Sequence, residues 1–112
     1  MAQRQPGHRV FPPNALRGEM LVTGAPDVLI NGKADRLAPG ARIRGENNLL
    51  LMSGAITGQR LVVHYTREAS SGLLLDVWVL QPVERANRPW PSTEREAQTW
   101  AFDPVGQTWK RP

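Results

Sequence analysis

The side chains best suited to chemistry in this sequence are few and scattered. Asp27, Asp35 and Asp76 fall in or near segments with strand character, and Asp76 stands inside an apolar run beside Trp78. A carboxylate buried there would have a raised pKa and could work as an acid or base. One that faces solvent or pairs with an arginine across a sheet serves structure, and that reading is favoured because unpaired buried acids are rare. His64 could act as a base with Tyr65 and Asp76. It shares one strand face with Arg60, Val62 and Thr66, however, and that face reads as solvated, so a surface histidine is expected.

Other chemistries lack their motifs. Ser53, in Ser53-Gly54-Ala55, has no Gly-x-Ser-x-Gly elbow to expose a nucleophile. Gly54 and Gly58 are not followed by the Gly-Lys-Ser/Thr of a phosphate loop. Cysteine is absent and His8 and His64 are the only histidines, which excludes thiolate and histidine-rich metal sites. No catalytic residue, metal or cofactor is expected.

Binding is the alternative to catalysis. The net charge is +4 and the pI near 10.7, but arginine supplies twelve of the fourteen basic residues, and a small arginine excess gives an extreme pI. The charge is spread thinly along the chain, unlike a dedicated nucleic-acid arm. Arg42, Arg44, Arg60 and His64, projecting from two basic strands, form the best candidate ligand surface. With exposed rings as platforms they would make a track for single-stranded nucleic acid. The spacing argues against this, because Tyr65 falls on the opposite face from Arg60 and His64. Trp90 and Trp109, set among prolines in the tail, are a second candidate surface, for glycan strands or a proline-rich peptide. Trp109 is expected to be the more exposed of the two, while Trp78 and Trp100 are expected inside the core.

The elements that must position these residues are short. Ten Gly and ten Pro in 112 residues imply many turns. Strands are expected at Glu19 to Thr23, Val28 to Ile30, Lys33 to Leu37, Ala41 to Arg44, Leu49 to Met52, Gln59 to Arg67 and Leu73 to Leu80. Asn31-Gly32 predicts a type I′ hairpin, Ala38-Pro39-Gly40 a break, and Ala69 to Gly72 a loop. Leu49 to Met52 reads as a buried strand. Leu73 to Leu80 is apolar on both faces and so should be covered twice. Thr93 with Glu96 three residues on predicts a helix start, with Ala97 and Trp100 on one face and a stop at Asp103-Pro104. The fold class is therefore mainly β: a small, partly open, OB-like barrel of six to seven short antiparallel strands with a short C-terminal helix. The organisation is an extended leader (1–18), a barrel core (19–81) and a Trp/Pro-rich segment (82–112) whose helix packs on the barrel.

The segment from Phe11 to Trp90 resembles a family of short exported proteobacterial proteins with no assigned activity. Phe11-Pro12, Arg17-Gly18, Asn31-Gly32, Leu37-Ala38-Pro39-Gly40-Ala41-Arg42-Ile43-Arg44, Ser53-Gly54-Ala55 and Asp76-Val77-Trp78-Val79-Leu80 carry the resemblance. It implies a small β-barrel in the periplasm and no reaction. The start Met1-Ala2-Gln3 has no hydrophobic signal core and read literally is cytoplasmic. The same start results where Met1 replaces a signal peptide, and this is the expectation the resemblance favours. No apolar stretch is long enough to span a membrane. The reading is a monomeric, non-enzymatic periplasmic binding or accessory domain whose partner is a protein or envelope component. A single-stranded nucleic-acid binder using Arg42, Arg44 and Arg60 is the alternative.

Overall fold

The computed structural model describes residues 9–112, so Met1 to Gly7, His8 and the first half of the expected leader lie outside the described residues. The fold is built from the turns outward. Asn31 and Gly32 take φ of 52° and 80°, the left-handed values that a type I′ turn requires. They join β2 (Asp27–Ile30) to β3 (Lys33–Arg44). Before them, β1 (Leu16–Gly24) pairs antiparallel with β2. After the two-residue β4 (Leu50–Leu51) and a 3₁₀ turn at Ser53–Ile56 come β5 (Arg60–Arg67) and β6 (Leu74–Val79).

The pairings close on themselves. Strand β1 joins β2, β2 joins β3, β3 joins β6, β6 joins β5, and β5 returns to β1. This five-stranded ring with β4 hung on its margin is an OB-like, partly open barrel. The expectation of antiparallel strands throughout is corrected at one pair: β3 and β6 run parallel. The chain reaches β6 from β3 by way of β5, so the last strand arrives in the same direction as β3, and a Greek-key ring closes on that parallel pair.

Two expected strands prove to be one. Lys33 to Leu37 and Ala41 to Arg44 are continuous in β3, which bends through Ala38-Pro39-Gly40. The missing donor of Pro39 is tolerated because the ladder to β6 jumps there, from Leu37↔Leu74 to Arg42↔Asp76.

The barrel interior is filled by aliphatic side chains, among them Met20, Val22, Val28, Val63, Leu74 and Val77, with Tyr65 as its one ring. The tryptophans expected there are elsewhere. Trp78 and Trp100 are half-buried and pack against a second core of Phe11, Ala15, Leu80, Trp90 and Trp109, on the outside of β5 and β6. A ring of five strands is too narrow for indoles once branched aliphatics occupy it. Strand β6 is thus covered on both sides, as its double apolar pattern predicts.

The C-terminal segment forms that outer layer. Helix α1 (Pro82–Ala86) starts with Pro82 and is closed by the Glu84 carboxylate accepting from the Gln81 N–H at 2.8 Å. Helix α2 (Glu94–Thr99) begins where Thr93 predicts it, with the Thr93 hydroxyl accepting from the Glu96 N–H. The Glu96 carboxylate reaches one residue further back than a capping box, to Ser92. The chain then makes a hairpin of β7 (Ala101–Asp103) and β8 (Thr108–Lys110) instead of extending the helix to Asp103. Among the described residues no helix is long and apolar enough to cross a membrane.

Candidate functional site

The three aspartates of interest are tied to arginines. Arg67 donates to both oxygens of Asp35, at 3.1 and 2.8 Å, and these bonds hold the Asp35 carboxyl below its ordinary pKa. Asp27 lies 3.6 Å from Arg36 at the surface, and Asp76 lies 3.8 Å from Arg44. Each carboxylate pairs with an arginine across the sheet or along its edge.

The expectation of a solvated His64 is corrected: the residue is 1% exposed. The alternation along β5 is as read, with Val63 and Tyr65 inward and Val62, His64 and Thr66 outward, but the outward face is roofed. Trp90 stacks on the imidazole at 4.1 Å between centroids, and Phe11 meets it edge-on at 4.4 Å. Arg17 Nε donates to His64 Nε2 at 3.2 Å. Because a guanidinium only donates, Nε2 must carry the lone pair and Nδ1 the proton. Burial first, then the charges of Arg17 and Arg9, push the His64 pKa down to about 2. A neutral, sandwiched imidazole whose basic nitrogen is already engaged is poorly placed for proton transfer.

Arg17 itself is a structural cation. It donates to the carbonyls of Glu84 (2.9 Å), which also accepts from the Asn87 N–H, and of Asn87 (2.8 Å), at the end of α1. Burial, then repulsion from Arg88, draw its pKa down to about 10 against the opposing attraction of Glu84. Arg9 plays a similar part from the other side. It forms a buried ion pair with Glu84 and donates to the carbonyls of Gly45 (2.8 Å) and Val79 (2.7 Å). Sequence reasoning missed both arginines. The available signal was the Gln81-Pro82-Val83-Glu84 helix start, which implies a buried-end carboxylate needing a cation.

The greater exposure expected of Trp109 over Trp90 is also corrected. Both are buried, Trp109 despite its place near the tail, because Phe102 stacks on it at 4.6 Å and Trp90 meets it edge-on. The Trp90 indole N–H donates to the Ala15 carbonyl at 2.9 Å. Gln107 clamps the layer: its Oε1 accepts from the Phe11 N–H at 2.9 Å and its Nε2 donates to the Pro104 carbonyl at 2.9 Å and the Phe11 carbonyl at 3.4 Å. Neither tryptophan offers a ring to a ligand.

The proposed arginine track is divided. Arg42 and Arg44 lie on β3 and Arg60 at the start of β5, on the same side of the sheet. Between β3 and β5 runs β6, with Trp78 opposite both Arg44 and His64, and here the aromatic layer sits. Arg60 is exposed and faces Glu19 at 3.4 Å, while Arg44 leans on Asp76. Arg42 is exposed, and its guanidinium makes no hydrogen bond or ion pair with the described residues.

A different surface stands open. Leu49 to Met52 was expected to be buried, and the structure overturns this: Leu50 is 66% and Met52 81% exposed. Among the described residues β4 pairs only with Ile43 and Arg44, at the margin of the ring, and Leu50 and Met52 are left uncovered. Between β4 and the β1–β2 turn lies a groove of about 560 Å³, walled by Pro26, Leu37, Pro39, Leu50 and Met52, with Arg42 its only charged lining residue. The β2 ladder stops at Arg36, the β4 ladder starts at Ile43 and the β6 ladder jumps from Leu37 to Arg42, so Ala38 to Ala41 have no strand partner among the described residues.

In comparisons with known proteins, the chain matches no protein-family model, no curated protein and no solved structure.

Proposed function

We propose that the chain is a non-enzymatic binding or accessory domain of the bacterial periplasm, and that it meets its partner through the groove beside β3. One observation carries this reading. Apolar side chains that a monomer gains nothing by exposing, Leu50 and Met52, line a groove beside a stretch of β3 whose backbone has no strand partner among the described residues. The engaged basic nitrogen of His64 and the pairing of Asp27, Asp35 and Asp76 with arginines support a role without acid–base catalysis. The periplasmic part rests on the resemblance of Phe11 to Trp90 to exported proteins.

Oligonucleotide binding through Arg42, Arg44 and Arg60 has less support. Among the described residues every phenylalanine, tyrosine and tryptophan ring is buried or half-buried, which leaves no fully exposed platform for a base. A photo-crosslinking residue placed at Met52 in the expressing cells tests the proposal, with Val105, equally exposed but in the β7–β8 turn, as control. A discrete adduct at position 52 and none at 105 is the expected result. Adducts at both alike or at neither reject the groove as the contact surface, and salt-sensitive binding of a short single-stranded oligonucleotide would restore the nucleic-acid reading.

A further inference from the structure

The groove also constrains what can fill it. Along β3 it is lined by Ala38, Pro39 and Ala41, in the bent stretch left between the end of the β2 ladder and the start of the β4 ladder. The last bond on the β2 side runs from the Leu37 N–H to the Pro26 carbonyl at 2.8 Å. An interrupted strand edge with apolar walls accepts another extended chain more readily than a helix or a compact ligand, because only a strand satisfies backbone groups while presenting alternate side chains to both walls. Pro39 offers an acceptor and no donor, so the ladder must be incomplete and side chains must supply part of the affinity. Leu50 and Met52 provide the apolar contact, and methionine adapts to varied shapes. Arg42 provides the charge. Arg36 and Arg44 nearby already face Asp27 and Asp76, whereas the Arg42 guanidinium is unengaged at the lip of a groove with no acidic lining residue.

We propose that this groove receives an extended acidic–apolar peptide segment of a partner protein, which adds to β3 along Ala38 to Ala41, rests apolar side chains on Leu50 and Met52, and sets a carboxylate on Arg42. The inference rests on the groove being the contact surface and goes further by naming the occupant.

The test selects a displayed library of random seven-residue peptides on the full chain, with a Leu50→Asp, Met52→Asp double variant as counter-selection. Enriched peptides should alternate apolar and polar residues and carry Asp or Glu. A synthetic copy of one should shift the amide resonances of Ala38 to Arg42 and Leu50 to Ser53. Arg42→Glu should leave the melting temperature unchanged, since the side chain is exposed, yet weaken the peptide about tenfold or more, as expected for loss of a charge-assisted contact with reversal of sign. Methylating alternate peptide amides should abolish binding, which apolar contact alone would not require. Failure to enrich any peptide over the double variant overturns the proposal, as does binding indifferent to Arg42→Glu or to amide methylation. Sedimentation showing a dimer that Met52→Asp dissolves would assign the groove to a second copy. A specific crosslink at position 52 without peptide enrichment would remove the peptide and leave the contact surface standing.

Discussion

The two cores of this protein lie on opposite faces of the same strands and are made of different materials. Inside the ring, β5 contributes Val63 and Tyr65 to a mostly aliphatic cluster, with the Arg67 guanidinium 5.4 Å from the tyrosine ring centroid at its end. Outside, the same strand contributes Val62 and His64 to a layer of rings threaded by Arg9, Arg17 and Glu84. The difference teaches how a basic composition should be read here. Two of the arginines close helix ends and strand ends beneath aromatic cover, so part of the high pI belongs to the architecture and not to a polyanionic partner.

The largest expected effect falls on the outer core. Glu84→Ala strands Arg9 beneath the layer without its carboxylate and should destabilise the chain by about 3–5 kcal/mol in denaturant unfolding. Replacing both partners, Arg9→Met with Glu84→Leu, should recover a substantial part of that loss. If the single change is silent, the outer core is not held by its ion pair and the contrast between the cores fails.

The next effect is on pH dependence. Folding depresses the His64 pKa from 6.5 to about 2, so between these values the unfolded chain binds a proton that the native state refuses. Stability is therefore fully present above about pH 6.5 and is lost as the pH falls, with a slope approaching about 1.4 kcal/mol per pH unit. Thermal melts of the parent and His64→Gln between pH 6.5 and 4.5 should differ in slope. Val63→Ala, one residue away but facing the inner core, should lower stability and leave the slope alone. Equal slopes in parent and His64→Gln would remove the histidine from the account.

The smallest effect belongs to the outward-facing arginines of β3 and β5. Replacing Arg42, Arg44 and Arg60 together by alanine should change stability by only about 1 kcal/mol or less, because Arg42 has no ion pair among the described residues and the pairs of Arg44 with Asp76 and of Arg60 with Glu19 are long. A loss comparable to that of Glu84→Ala would mean that outward cations also support the fold.

Much of the ring was legible because its signals are local. Asn31-Gly32 set the β2–β3 hairpin, alternation set β5, and Thr93 set the start of α2. The roof was less legible. Periodicity tells which residues share a face but not what later segment covers it, so the outward face of β5 read as solvated while Trp90 and Phe11 were free to be placed anywhere. Leu49 to Met52 failed in the opposite sense. An apolar run matched a buried strand, but its burial depended on a neighbour that the ring does not provide. Alternation groups Arg42 with the other outward arginines and carries no sign of the groove that it lines.

The Gln107 carboxamide carries one last consequence. It accepts from the Phe11 N–H and donates to the Phe11 carbonyl, the same exchange that two residues make in a hydrogen-bonded antiparallel pair. A side chain thus imitates one rung of a ladder between segments 96 positions apart in sequence. Few residues can do this. Glutamate would set an acceptor against the Phe11 carbonyl, asparagine is one methylene short, and lysine or arginine could only donate. At this position the protein needs not polarity but a peptide group on a tether.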